Sequence, residues 1–479
     1  MNLRSFLPII RIGCPLFWFT DFRTLQSSMG KRRKRSSKTC RIDQLPDDLL
    51  IHILSFIDNL AEISLTAILS SRWRNLWRYN TCLDFSATTF LPDEDMLATS
   101  HASSYISWVN KFIETRAAIP ELPSVKQLRI QYGLKKKHKR HIDQWIDFAI
   151  ANRVQTLRLE FAPYLGRIYP PGLYKLSEES WYRTPSGLSS LKCLKSLFLL
   201  CVNVSKQFIE FILSSCPFLE DLTLHYAGTY TDLDVSGVPP LRLKRLKIDV
   251  AEPFALTKLC APHLTSFSYE SPWFNPQTID VPVLTDLTIG CRYGQGQHIM
   301  KYLDHFWTYL PQLEKLDLMM GGEPRRFKLK QLPKLVKLKY LKMSYCGDTD
   351  PIFYRIVNFI NSCPLLETFS FQIFDGEMFH RRPMSIKRQS RIQEWRKGEE
   401  SYSFKFLKVL ELFGTNGKII DQEVVKCIIS KTPNLEEFII NTHTHYMLEP
   451  STPEIMEAVK SKARKLCQRS RLEANITLY

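Results

Sequence analysis

Cys216-Pro217-Phe218-Leu219-Glu220-Asp221-Leu222-Thr223-Leu224 is the stretch that decides the fold. Upstream of it, Ser205 to Ser215 places Phe208, Ile209, Ile212 and Leu213 at helical spacing. Pro217 stops that helix, because proline lacks the N–H a helix interior needs. Leu222-Thr223-Leu224 then alternates apolar, polar, apolar, the pattern of a short strand with one buried face. The phrase returns as Cys363-Pro364-Leu365-Leu366-Glu367-Thr368-Phe369-Ser370-Phe371. There Asp350-Pro351 supplies a helix cap and a first-turn proline, and Ile352 to Ile360 supplies the apolar face. Asp421 to Ser430, with Val424, Val425, Ile428 and Ile429, ends in the same way at Pro433.

Working outward, apolar pairs two residues apart recur at Leu128/Ile130, Leu157/Leu159, Leu197/Leu199, Leu246/Ile248, Phe267/Tyr269 and Leu287/Ile289. They continue at Leu316/Leu318, Leu341/Met343, Leu410/Leu412 and Phe438/Ile440. Most steps fall in or near the range of about 20–29 residues that marks leucine-rich repeats. Two longer steps contain insertions, at 163–186 and 375–400. The pattern predicts a right-handed β-α solenoid from about residue 120 to 445, one strand per turn, with alternate strand residues facing core and concave surface. Short units such as VPPLRLKRLKID and CAPHLTSFSY leave no room for a full helix, so they are expected to return by irregular or short helical segments. A doubly wound α/β domain is the rival architecture. No glycine-rich phosphate loop follows any strand, and glycine totals only 18.

The first hundred residues are organised differently. Leu49, Leu50, Ile53, Leu54 and Ile57 form one apolar helical face, with Pro46, Asp47 and Asp48 suited to its N-terminal end. A second segment carries Ile63, Ile68 and Leu69, and a third Trp73, Leu76 and Trp77. Three short helices in so few residues bury too little area to stand alone, so the module must finish its core elsewhere. A docking site for a partner and a cap on the next domain both satisfy that need. Beyond it, Tyr105, Trp108, Val109, Phe112 and Ile113 lie at helical spacing and are expected to cap the first repeat.

LPDDLLIHILSF, then LSSRWRNLW at 69–77 and LDF at 83–85, resembles the F-box of plant F-box proteins. The CPxLExLxL phrase resembles the repeats of plant F-box/leucine-rich-repeat proteins, and Phe406 to Ile440 is similar to the FBD region that closes many of them. The resemblance implies a three-helix motif docking on the Skp-type adaptor, and through it a cullin. It places Leu45, Pro46, Ile53, Leu54, Leu69, Ser70 and Trp73 at the positions that face the adaptor or define the motif. The organisation it implies is a tail with a basic cluster (1–40), F-box (41–85), helical linker or cap (86–119), repeats (120–402), and FBD-like final repeats with a C-terminal tail (403–479).

Composition bounds the function. Of 479 residues, 44% are apolar and 24% charged, as in ordinary globular chains. The 65 Lys and Arg against 48 Asp and Glu give a net charge of +17, which favours anionic partners. The 12 cysteines include no CxxC pair and read as buried free thiols in a reducing compartment. Leu7 to Phe19 is apolar but is broken by Arg11, Pro8 and Pro15 and is too short to span a membrane. Met29 begins MGKRRKRSSK and reads as a natural start, so residues 1–28 read as an upstream extension. Lys31, Arg32, Arg33, Lys34 and Arg35 form a cluster of nuclear-import type or a solvated tail.

No catalytic constellation is present, and no cofactor or metal site is expected; His443 and His445 have no ligand neighbours at metal spacing. Basic patches at Lys135 to His141, and from Arg381 to Lys397 around Trp395, read as solvated connections or as anion-binding surfaces. The expectation is a non-catalytic subunit of a ubiquitin ligase, located in the nucleus with the cytoplasm as a second site, that presents a protein target on its repeats. The alternative is a nuclear nucleic-acid-binding or scaffold protein that keeps the F-box as a structural cap.

Overall fold

A strand that buries one face needs neighbours stacked beside it, and the repeats supply them at every turn. The computed structural model describes residues 44–54, 72–86, 101–119, 122–162, 172–182, 187–226, 232–237, 240–250, 255–271, 274–290, 299–321, 333–346, 356, 359–374, 403–413, 423–441, 453–469 and 474–478. The chain divides into two units, 1–218 and 219–479.

In the first unit, strands Cys82–Ser86, Gln127–Gln131, Thr156–Glu160 and Ser196–Leu200 pair in parallel. Leu83, Leu128, Leu157 and Leu197 stand in one register row, and Phe85, Ile130, Leu159 and Leu199 in the next. All eight are buried. The second unit has a row of its own, through Leu222, Leu246, Phe267, Leu287, Leu316, Leu341, Phe369, Leu410, Phe438 and Ile476. Parallel sheets covered on both faces read as unbroken apolar runs. Here buried and half-exposed residues alternate along most strands of the ladder, so one face is largely open. Buried Ser344, Ser370 and Gln372, on the neighbouring strands Tyr340–Cys346 and Thr368–Phe374, interrupt the pattern. This is the leucine-rich-repeat arrangement, not a doubly wound sheet.

The array starts earlier than the sequence pattern indicated. Leu83-Asp84-Phe85, which reads as the close of the helical module, is itself a strand paired with Gln127–Gln131. The helix Ala102–Ala117 therefore returns the chain from the first strand, and is not a separate cap placed before the array. Its Trp108 and Phe112 meet Phe85 edge-on, each with ring centroids 5.2 Å apart. The next return, Lys139–Ala151, buries Ile142, Trp145, Ile146, Ala149 and Ile150. The helix Lys206–Ser215 buries the four residues its spacing predicted, and Ser205 caps it by accepting the Phe208 N–H at 3.1 Å.

The short turns of the second unit return by strands, which corrects the expectation of irregular or helical segments. Asp232–Val235, Ala255–Cys260 and Thr278–Asp280 form a second parallel sheet. Leu233, Val235, Leu256 and Leu259 are buried in it. The reason is economy of length. An extended chain advances about 3.3 Å per residue against about 1.5 Å in a helix, so it covers one strand's length with roughly half the residues. Phe274, held against Tyr269, Tyr302 and Phe306 at centroid distances of 4.9, 5.5 and 5.6 Å, fills the space beside these turns.

At the other end the array runs past residue 445. Helix Pro453–Arg469 buries Val459, Ala463, Leu466 and Cys467, and strand Asn475–Leu478 pairs with Glu437–Asn441. What reads as a C-terminal tail is a final turn whose Lys462, Arg464 and Lys465 lie on the open side of its helix. Register is also marked just before the strands, where Glu314, Lys339, Glu367, Lys408 and Glu436 alternate in sign from turn to turn. From Lys339 onward each backbone N–H in that series donates to the preceding member's carbonyl at 2.8–2.9 Å, and like charges never face each other.

Candidate functional site

Helix Asp47–Leu54 opens with the Pro46 carbonyl accepting the N–H groups of Leu49 and Leu50, both at 3.2 Å. Pro46 is thus the cap rather than the first helical residue. Asp47 sits at the positive end of the helix and receives Arg72 Nε at 2.7 Å, tying the helix to the segment that carries Trp73–Leu76. Leu50, Leu54, Trp73 and Leu76 are buried together as the module's own core. Arg116 fixes the module to the first turn of the array. Its guanidinium donates to the carbonyls of Arg78 and Pro123, and burial pulls its pKa down to about 10.

That packing divides the residues expected to meet an adaptor. Leu54 and Trp73 do not lie on the surface; with Leu50 and Leu76 they hold the module closed. Pro46 is exposed and Leu45 half-buried, while Leu49 and Ile53 keep 48% and 36% of their surface open. Positions 46, 49 and 53 fall at i, i+3 and i+7, so the exposed apolar residues form one stripe beside the buried one. Leu49 is the member that reading the sequence for a docking face did not single out. Leu69, Ser70 and the basic run Lys31 to Arg35 lie outside the described residues, as do the patch from Arg381 to Lys397 and the pair His443 and His445.

The first basic patch is ordered. Lys136–His138 forms one 3-10 turn that leads into helix Lys139–Ala151. His138 Nδ1 accepts the Lys135 N–H at 3.1 Å, which requires a neutral ring. Burial, and then the charges of Lys137, His141 and Lys135, lower its pKa accordingly. Lys139 is paired with Asp143 at 2.6 Å.

The second surface is the open sheet face. In the first unit its middle row reads Asp84, Arg129, Arg158, Phe198 across consecutive strands. Arg129 donates to Asp84 at 3.1 Å and to Glu160 at 2.9 Å. Burial opposes the Arg129 charge, but the hydrogen bonds and charges of Glu160 and Asp84 outweigh it and raise the pKa. In the second unit His225 meets Asp249 at 2.9 Å, and Lys247 reaches Glu270 at 3.7 Å. Both carboxylates are nearly buried at the ends of their strands. Cys201 and Cys216 are free thiols whose pKa burial pushes up to about 11 and about 12, and Cys363 is raised further. Among the described residues no cluster of ligands could hold a metal ion, and no helix is long and apolar enough to cross a membrane.

A ladder of parallel strands with one largely open face, preceded by a small helical module with an exposed apolar stripe, defines a leucine-rich-repeat protein with an appended helical module. Comparison with known proteins agrees. The family model described as "At1g61320/AtMIF1, LRR domain" matches residues 123–479. F-box/LRR-repeat protein 25 of Arabidopsis thaliana is 31% identical over 242 residues, covering 48% of this chain and 85% of that one. F-box protein At5g03100 from the same plant is 27% identical over 330 residues, 66% of this chain and 96% of its own length. The FBD-associated F-box protein At3g52670, also from Arabidopsis thaliana, is 30% identical over 226 residues, 45% of this chain and 50% of that one. The chain belongs to the plant F-box/leucine-rich-repeat proteins.

Proposed function

We propose that this chain is the target-recognition subunit of a ubiquitin ligase of the Skp–cullin–F-box kind. The observation that carries the reading is the exposed stripe Pro46, Leu49 and Ile53 above the buried pair Leu50 and Leu54. A helix that has satisfied its own core and still shows a row of apolar side chains is built to be covered by a partner. In this reading the Skp-type adaptor covers the stripe and brings the cullin with it. The open faces of the repeats hold a protein target, so that a target lysine meets the ubiquitin-loaded enzyme at high effective concentration. The chain itself contributes binding surfaces. Its buried Cys201, Cys216 and Cys363 are held as thiols, which makes them poor nucleophiles for a thioester step. The basic run Lys31 to Arg35 is assigned to nuclear import, and a fluorescent fusion with those five residues changed to Ala is expected to leave the nucleus.

Capture of the Skp-type adaptor and cullin from plant extract tests the main reading. The full chain is expected to bring down both, and Leu45→Ala combined with Pro46→Ala to lose both while keeping its circular dichroism spectrum. Capture by neither form would sink the proposal. Salt-sensitive retention of RNA, with no adaptor, would instead favour a scaffold that works through its basic surface.

A further inference from the structure

Arg129 and Arg158 are register partners on adjacent strands of the first unit, on the same open face, yet they are engaged very differently. Arg129 is fully committed. Its Nε and Nη2 reach the two oxygens of Glu160 at 2.9 and 3.3 Å, Nη1 reaches Asp84 at 3.1 Å, and Nη2 also reaches Gln131 at 3.0 Å. Arg158 gives only its Nε, to Glu160 Oε1 at 3.1 Å. Its guanidinium carbon lies 4.1 Å from the ring centroid of Phe198, the register partner on the following strand. Neither Nη group of Arg158 has a partner among the described residues, and the side chain is 39% exposed while Glu160 keeps 6%.

A stacked and Nε-anchored guanidinium has lost most of its rotamer freedom before any ligand arrives. What it leaves open is the end bearing two Nη donors, spaced to take both oxygens of one carboxylate. Thr156 and Ser196, two positions earlier on the same strands and half-buried, place hydroxyls on the same face. The charge balance selects among anions. Asp84 and Glu160 offset Arg129 and Arg158, so the cluster is neutral and has one unused donor edge. A single negative charge completes that edge. A doubly charged phosphoryl group would set its second charge against Glu160 and Asp84 with no further cation in the cluster.

We propose that Arg158, positioned by Glu160 and Phe198, binds an aspartate or glutamate side chain of a protein target on the open face of the first repeats. The proposal rests on the reading of the repeats as a target-binding surface and names the chemistry of what they hold.

The test uses the purified full chain at about 0.15 M salt with fluorescent oligo-glutamate, oligo-glutamine and oligo-phosphoserine peptides, read by anisotropy. Oligo-glutamate is expected to bind more tightly than oligo-glutamine. Arg158→Lys keeps the net charge but loses the fork, and is expected to weaken oligo-glutamate binding about tenfold with an unchanged melting curve. Phe198→Leu removes the stack and leaves the ion pair, and is expected to weaken binding severalfold. Arg140→Gln, in the separate basic patch, is expected to match wild type. Equal binding by wild type and Arg158→Lys would overturn the proposal. So would loss in Arg140→Gln alone, or tighter Arg158-dependent binding of oligo-phosphoserine. Adaptor capture is measured on the same Arg158→Lys protein, so failure of the carboxylate site is distinguished from failure of the ligase reading.

Discussion

The helical module and the repeat array spend their apolar residues in opposite ways. In the repeats, the paired apolar residues of the ladder strands from Cys82–Ser86 to Glu437–Asn441 point into the core, and the open face is mostly polar or charged. In the module, Leu50 and Leu54 are buried while Leu49 and Ile53, one position earlier on the same helix, stay open. A strand has two faces at fixed positions, so one period assigns core and surface together. A short helix has an apolar arc wider than its own core can cover. The surplus is where the proposed reading seats a partner's apolar surface, whereas the repeats offer oriented charge. One chain thus presents two kinds of adhesive surface.

The sharpest way to break that contrast is to delete the same kind of atom in each region. Phe267→Ala removes a fully buried ring packed against Phe274 and Phe306. It is expected to cost about 3–5 kcal/mol in urea unfolding, from lost transfer energy plus a cavity. Leu54→Ala is expected to cost about 2–4 kcal/mol, read as early loss of the module in hydrogen exchange. Ile53→Ala, its immediate neighbour, is expected to stay within about 0.5–1 kcal/mol of wild type. Equal losses at 53 and 54 would erase the distinction between stripe and core.

Thiol chemistry sharpens the comparison within the repeats. Burial lifts Cys216 from its ordinary 9.0 to about 12, so the folded chain keeps a proton that the unfolded chain gives up. Its contribution to stability is therefore complete below about pH 9 and is lost as pH rises toward 12. In site-resolved alkylation at pH 8, Cys216 and Cys363 are expected to react only after denaturation, well behind the half-buried Cys82 and Cys193. Smaller still is the surface pair Lys244 and Glu220, 3.0 Å apart and about half exposed. A double-mutant cycle is expected to give about 0.2–1 kcal/mol at low salt, falling as salt is added.

The repeat rows were legible because a five-residue strand with two apolar positions has only one way to lie on an open-faced sheet. Every such pair read from Leu128 to Ile440 stands in the register rows. Four features stayed hidden for physical reasons. Leu83-Asp84-Phe85 closes the helical motif and also opens the sheet, and a sequence pattern assigns it only one part. The return strand Ala255–Cys260 is broken by a register shift between Leu256 and Lys258, which spoils the alternation that would announce it. Arg129 and Arg158 are the same residue in near-identical settings, Leu-Arg-Ile and Leu-Arg-Leu. Only the positions of Asp84, Glu160 and Phe198 show that one is spent and the other poised. On the module, periodicity gave the apolar arc but not which half of it the segment containing Trp73 covers, and so Leu49 was missed.

The central claim is that docking and target recognition occupy separable surfaces, and calorimetric titration of the purified Skp-type adaptor into the full chain tests it most directly. The account predicts that Leu49→Asp combined with Ile53→Asp loses adaptor binding by at least about a hundredfold with an unchanged melting curve, while Arg158→Lys binds the adaptor as wild type does. Undiminished binding by Leu49→Asp with Ile53→Asp, or loss in Arg158→Lys, would contradict it.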